Sequence, residues 1–73
     1  MKIIINCRTE ELPDGVHVLS YENIAAMAGY DQERLLTIMY SKKVPNQDGS
    51  MTPGDVVTVS EGMIISVADT GNA

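Results

Sequence analysis

The 73-residue sequence predicts an α+β fold in which one mixed sheet is crossed by one short helix. Three observations carry this. β-branched and aliphatic runs of strand length recur at Lys2–Cys7, Val16–Ser20, Leu35–Ser41, Val56–Ser60 and Met63–Ala68. A single stretch, Tyr21–Gly29, carries helical spacing between a good N-cap and a glycine. At 44% hydrophobic residues the chain is too apolar to stay disordered, and so short a chain forms one domain that buries only about 60% of its unfolded surface.

Each element follows from its residues. In "KIIINC", Ile3, Ile5 and Cys7 alternate onto one face and Ile4 and Asn6 onto the other, apolar on both faces as a central strand would be. Pro13-Asp14-Gly15 is a turn signal: Pro fixes φ, Asp caps locally and Gly accepts positive φ. "VHVLS" alternates behind it, with Val16 and Val18 inward and His17 outward, so the two strands read as a hairpin closed by a long acidic loop. Ser20 suits the N-cap, Glu22 lies in the first helical turn where it opposes the dipole, and Ile24, Met27 and Ala28 share a face. Gly29 ends the helix as a C′ residue. "LLTIMYS" is the third strand, "KKVPNQDGSMTPGD" a loop, "VVTVS" a short strand, and Glu61-Gly62 turns the chain into a last strand whose Met63, Ile65 and Val67 face one way. The order β-β-α-β-β-β in so short a chain is that of a β-grasp. The expected core is Ile3, Ile5, Val18, Ile24, Met27, Ile65 and Val67, the domain spans residues 1–68, and residues 69–73 form a flexible tail. In the loop, Gly49 and Gly54 are expected at turns, with Pro53 at the second position of one.

Composition narrows the function. Ten acids against five bases give a net charge of −5. That balance opposes a phosphate backbone, which needs clustered Lys and Arg, and favours a basic patch on a protein partner. The one cysteine excludes an intramolecular disulfide. The apolar run in "MKIIINCRTE" is too short for a signal peptide, and no stretch approaches the roughly 20 apolar residues that cross a bilayer. The expectation is a soluble, cytoplasmic monomer that touches neither membrane nor nucleic acid.

Chemistry-bearing residues are sparse. His17 has no second His and no neighbouring Cys, so it reads as a solvent-facing strand residue and not a metal ligand. Cys7, on an apolar strand, reads as a small buried hydrophobe and not a nucleophile. Gly49 and Gly54 flank "SMTP" with no following Lys-Ser/Thr and no helix opening there, so no phosphate loop is present. The expectation is a non-enzyme with no catalytic residue, no metal and no cofactor. What remains is surface and tail. Leu36, Ile38 and Tyr40 form one row of the third strand, and Leu35, Thr37 and Met39 the other. Only one row can meet the helix. The second is covered by the following loop or is exposed as a docking site; the row Leu36, Ile38 and Tyr40 is the candidate partner-binding surface.

Three stretches carry a resemblance. "LSYENIAAMAG" places Tyr21, Glu22 and Ile24 before Ala28-Gly29. "GSMTPGDVVTV" spaces Gly49-Ser50, Gly54-Asp55, Val57 and Val59. "EGMIISVADTGNA" spaces Gly62-Met63, Val67, Thr70 and Ala73. In element order and length the chain resembles ubiquitin. Through these motifs, which lie between Leu19 and the C-terminus, it is more closely similar to the bacterial ubiquitin-like domains called multiubiquitin. Those domains occur in operons with activating-enzyme, conjugating-enzyme and peptidase homologues, in a setting that suggests antiviral defence. The family's name implies tandem copies, whereas one copy is present here. Ubiquitin and the sulfur carriers of this fold end in Gly-Gly, whereas here Gly71 is followed by Asn72 and Ala73.

On its residues alone, a tail of Asp69 to Ala73 reads as a fraying terminus. With the resemblance it reads as a carrier's tail: small residues that enter an activating enzyme's cleft, with Gly71 permitting close backbone approach. The resemblance therefore implies a protein modifier conjugated through the tail Thr70, Gly71, Asn72 and Ala73: at Gly71 once a peptidase has removed Asn72 and Ala73, or at Ala73 with no trimming. Its implied partners are activating and conjugating enzymes, a processing peptidase and protein targets. A non-covalent binding module and a sulfur carrier are the alternatives; the missing Gly-Gly weighs against the latter.

Overall fold

The computed structural model describes residues 1–30, 35–43 and 46–69. The elements are β1 (Lys2–Ile5), β2 (Arg8–Glu11), β3 (Val18–Ser20), α1 (Tyr21–Met27), β4 (Leu36–Lys43), β5 (Asn46–Met51), β6 (Val56–Thr58) and β7 (Ile64–Asp69). Five strands form the main sheet in the order β2-β1-β7-β4-β5, and β3 pairs with β6 in a separate two-stranded sheet. The main-sheet strands and the helix follow one another as ββαβββ, and the fold is an α+β β-grasp. β7 is central, parallel to β1 on one side and antiparallel to β4 on the other.

The helix starts as its sequence dictates. Ser20 Oγ accepts the Asn23 amide at 3.0 Å, and Asn23 Oδ1 accepts the Ser20 amide at 3.2 Å, a reciprocal capping box. Ala28 is the C-cap, and Gly29 follows at φ +86°, a left-handed conformation that glycine adopts without a Cβ penalty. Tyr21, Ile24 and Ala25 are buried against Ile3 and Ile5 of β1, Leu36 and Ile38 of β4, Met51 of β5, and Ile65 and Val67 of β7, with Met63 ahead of β7. Leu12, Leu19, Val57 and Val59 extend this core beneath the small sheet.

Several expectations are corrected. The first hairpin closes at Asn6-Cys7 and not at Pro13-Asp14-Gly15. Both turn residues have positive φ, +50° and +68°, and Ile5 pairs with Arg8 across them, as in a two-residue hairpin whose twist matches the strands. Cys7 is therefore an exposed turn residue and not a core hydrophobe. "VHVLS" does not pair with the first strand; Val18–Ser20 pairs with Val56–Thr58. That pairing turns Leu19 inward and leaves Val18 51% exposed, because a shift of one residue exchanges the two faces of a strand. Met27 is half-buried at the margin of the core. Within the stretch read as a loop, Asn46–Met51 forms β5 against β4. Gly49 accordingly lies in a strand opposite Tyr40. A Cβ there would stand 2.5 Å from the tyrosine hydroxyl, so the glycine is required by close packing and not by a turn.

Candidate functional site: strand exit and open sheet face

The helix covers one face of the sheet, and the pairing register sorts every strand residue onto the covered or the open face. On β4, Ile38 stands opposite Met51 and Val67 on the covered face, whereas Met39 stands opposite Ser50 and Ser66 on the open one. The row expected to dock partners is thus the inward row. Leu36 is 4% exposed, Ile38 is fully buried, and Tyr40 is half-buried at the end of the core, 5.7 Å beneath the Lys42 ammonium. The physical reason is parity: β7 turns Ile65 and Val67 inward, and its antiparallel partner residues Tyr40 and Ile38 must follow.

The alternate row carries exposed apolar surface on the main sheet, as Val18 and Val56 do on the small one. Leu35 and Met39 are 51% and 56% exposed, and Ile64 of β7 is 41% exposed. Ile64 pairs with Ile4 on one side and with Ser41 on the other. Met39, Ile64, Ser41, Ser50 and Ser66 line a shallow depression of about 440 Å³ on this face. A thioether and a branched aliphatic side chain form an apolar centre framed by serines and by the carboxylate of Asp48. Met adapts its shape to different partners more readily than a β-branched residue does.

The last strand leads to the tail. β7 continues through Asp69, which pairs with Leu36. Thr70, Gly71, Asn72 and Ala73, the expected conjugation and processing residues, lie outside the described residues. Near its exit β7 is held by Asn6, whose side-chain Oδ1 accepts the Val67 amide at 2.8 Å and whose Nδ2 donates to the Val67 carbonyl at 3.1 Å. Sequence reasoning missed this contact. The signal that could have found it is that Asn is one of the few residues at ease in a left-handed turn.

At the opposite corner, Thr52-Pro53-Gly54-Asp55 is a turn with Pro53 second and Gly54 third at φ +90°, closed by the Asp55 amide donating to the Thr52 carbonyl at 2.9 Å. The position expected for Pro53 and the turn expected at Gly54 are both found. Asp55 Oδ2 accepts from the Thr52 amide at 2.9 Å and the Thr52 hydroxyl at 3.0 Å, and these bonds hold its carboxyl below the usual carboxylate range. Glu22 Oε2 accepts the Gly54 amide at 3.2 Å, and the Tyr21 amide donates to the Asp55 carbonyl at 2.9 Å. The amides that an anion would require are thus already donated within the chain, and the turn serves to fasten the start of α1. His17 is exposed just ahead of β3, where its carbonyl accepts the Val59 amide. Among the described residues no three His, Cys, Asp or Glu side chains converge as metal ligands, and no helix is long and apolar enough to cross a membrane.

The family model for multiubiquitin matches residues 1–71. No curated protein and no solved structure matches the chain.

Proposed function

The chain belongs to the multiubiquitin family, and from that premise we propose that it is a ubiquitin-like protein modifier conjugated through its C-terminal tail. The observation that carries the reading is the family match over residues 1–71, which reaches into the tail as far as Gly71. The position of β7 supports it. The final strand is the central strand of the sheet, so the segment after Asp69 departs from the most firmly held part of the domain. A carboxylate in this tail attacks the α-phosphate of ATP on an activating enzyme, and pyrophosphate leaves. An enzyme thiol then attacks the acyl-adenylate and displaces AMP to give a thioester, and a target lysine amine attacks that thioester and releases the thiol, leaving an isopeptide bond. The domain supplies presentation and recognition, and the activating enzyme supplies the chemistry. The net charge of −5 suits a basic cleft on that enzyme. The setting proposed is bacterial and cytoplasmic, with an antiviral role, a conjugating enzyme, a processing peptidase and protein targets as further partners.

Gly71 is the proposed site of activation, after removal of Asn72 and Ala73. The test incubates the chain through Ala73, and separately a version ending at Gly71, with ATP and an activating enzyme of the kind that the resemblance implies. Mass spectrometry reads the adducts. Reaction of the shorter form alone makes the chain a precursor; reaction of the longer form removes the need for a peptidase. If neither reacts, and deletion of Thr70 to Ala73 leaves partner binding unchanged, the modifier reading fails.

A second reading, a non-covalent binding module, is favoured by the open face around Met39 and Ile64. Under it, Met39→Glu abolishes partner capture while tail deletion has no effect. Under the modifier reading, tail deletion abolishes conjugation whatever happens at Met39.

A further inference from the structure

We propose that Asn6 is a positioning residue whose carboxamide continues β1 by one step and so fixes the point at which β7 leaves the domain. The backbone ladder between these parallel strands runs from the Ile4 amide to the Met63 carbonyl at 2.8 Å and from the Asn6 amide to the Ile65 carbonyl at 3.0 Å. Its next rung would join the Val67 amide to the main chain of β1. That rung is lost because the backbone turns away at Asn6, φ +50°, to form the first hairpin. The side chain takes over. Oδ1 accepts the Val67 amide at 2.8 Å, and Nδ2 donates to the Val67 carbonyl at 3.1 Å.

One carboxamide thus satisfies both polar groups of a single peptide residue, as a neighbouring strand would. The chemistry is specific. The two contacts need an acceptor and a donor side by side, which among short side chains only Asn presents. They also fix the amide orientation, since a flipped carboxamide would set its NH₂ group against the Val67 N–H. Asp keeps the acceptor and loses the donor, and Gly keeps the left-handed turn and loses both. Val67 is the last inward residue of β7, two positions before Asp69. A loosened Val67 would let the strand end slide or fray, and the tail would then present itself from a variable origin.

The test uses the full chain with Asn6→Gly and Asn6→Asp, neither of which strains the turn. Amide hydrogen exchange is followed residue by residue. In Asn6→Gly, exchange at Val67 accelerates about tenfold, as loss of a hydrogen bond implies, while Ile38 and Ile5 keep their protection. Asn6→Asp gives a smaller change at Val67. Unchanged protection at Val67 in Asn6→Gly, or an equal loss at every core amide, overturns the proposal. The consequence for activation rests on the modifier reading. With the activating enzyme and ATP, Asn6→Gly raises KM about two- to tenfold, the cost of ordering a loosened segment, at unchanged kcat. An unchanged KM would overturn the link between clamp and activation. A wild-type chain that forms no adduct would sink the modifier reading alone, because the clamp is judged by exchange.

Discussion

Tyr21→Phe isolates one hydrogen bond that ties the helix to the sheet. The Tyr21 hydroxyl accepts the Leu36 amide at 2.9 Å, and the two residues are 2% and 4% exposed. Phe retains the ring and its packing against the core, so the apolar burial is nearly unchanged and the loss falls on the polar pair. The Leu36 amide, at the first residue of β4, is left as a buried donor without that acceptor, which costs about 1–3 kcal/mol. A domain of this length holds roughly 4–11 kcal/mol in all, so the substitution removes a substantial share. At roughly 4–8 °C per kcal/mol for chains of this size, the melting temperature falls by roughly 4–24 °C. Urea unfolding followed by circular dichroism measures the change, with an m-value equal to that of the wild type. Hydrogen exchange at Leu36 should accelerate more than exchange at Ile65. A stability change below about 0.5 kcal/mol, the range of neutral surface substitutions, would refute the reasoning, because it would mean that water or a shifted backbone satisfies the amide.

The remaining predictions address the core, the first turn and the acid limb. Ile24→Ala empties a fully buried site between helix and sheet and should cost roughly 2–5 kcal/mol, read as a lower urea midpoint. Cys7→Gly places glycine at φ +68° and completes an Asn-Gly turn; relief of the left-handed strain should raise stability by about 1 kcal/mol, seen as a higher melting temperature. Asp55 has a folded pKa held below its ordinary value of 3.8 by the Thr52 amide and hydroxyl. Its contribution is therefore present above about pH 4 and is lost as pH falls through the folded value. Asp55→Asn should lower stability at neutral pH and narrow its gap to the wild type in acid, a pattern that melting curves across pH will show or deny.

Elements whose signals are local were legible in the chain's own residues. Ser20, Glu22 and Gly29 delimit a helix wherever it lies, and the turn at Pro53-Gly54 follows from the φ preferences of those two residues. The inward set Met63, Ile65 and Val67 follows from alternation in a strand whose intervening Ser66 is polar. The order of elements, and with it the β-grasp, was legible because one helix among short strands in so small a chain leaves few compact arrangements.

Whatever depends on a distant partner was settled only when the chain folded. In Leu35–Tyr40 both rows are largely apolar, so alternation cannot choose the inward one; β7 chose it by turning Ile65 and Val67 to the core, and Met39 was left outside. "NQDGSM" has weak strand propensity of its own and became β5 because β4 offered an edge, a buried slot for Met51 and a tyrosine that only glycine could face at position 49. Val18 reads as inward until pairing with β6 turns Leu19 to the core instead. Asn6 looks like the outward end of a strand until β7, some sixty residues later in the chain, supplies the amide and carbonyl that its side chain was placed to meet. Local preferences are set by φ, capping and periodicity within a few residues. Facing and pairing are set by which segment arrives alongside, and that is a property of the folded chain.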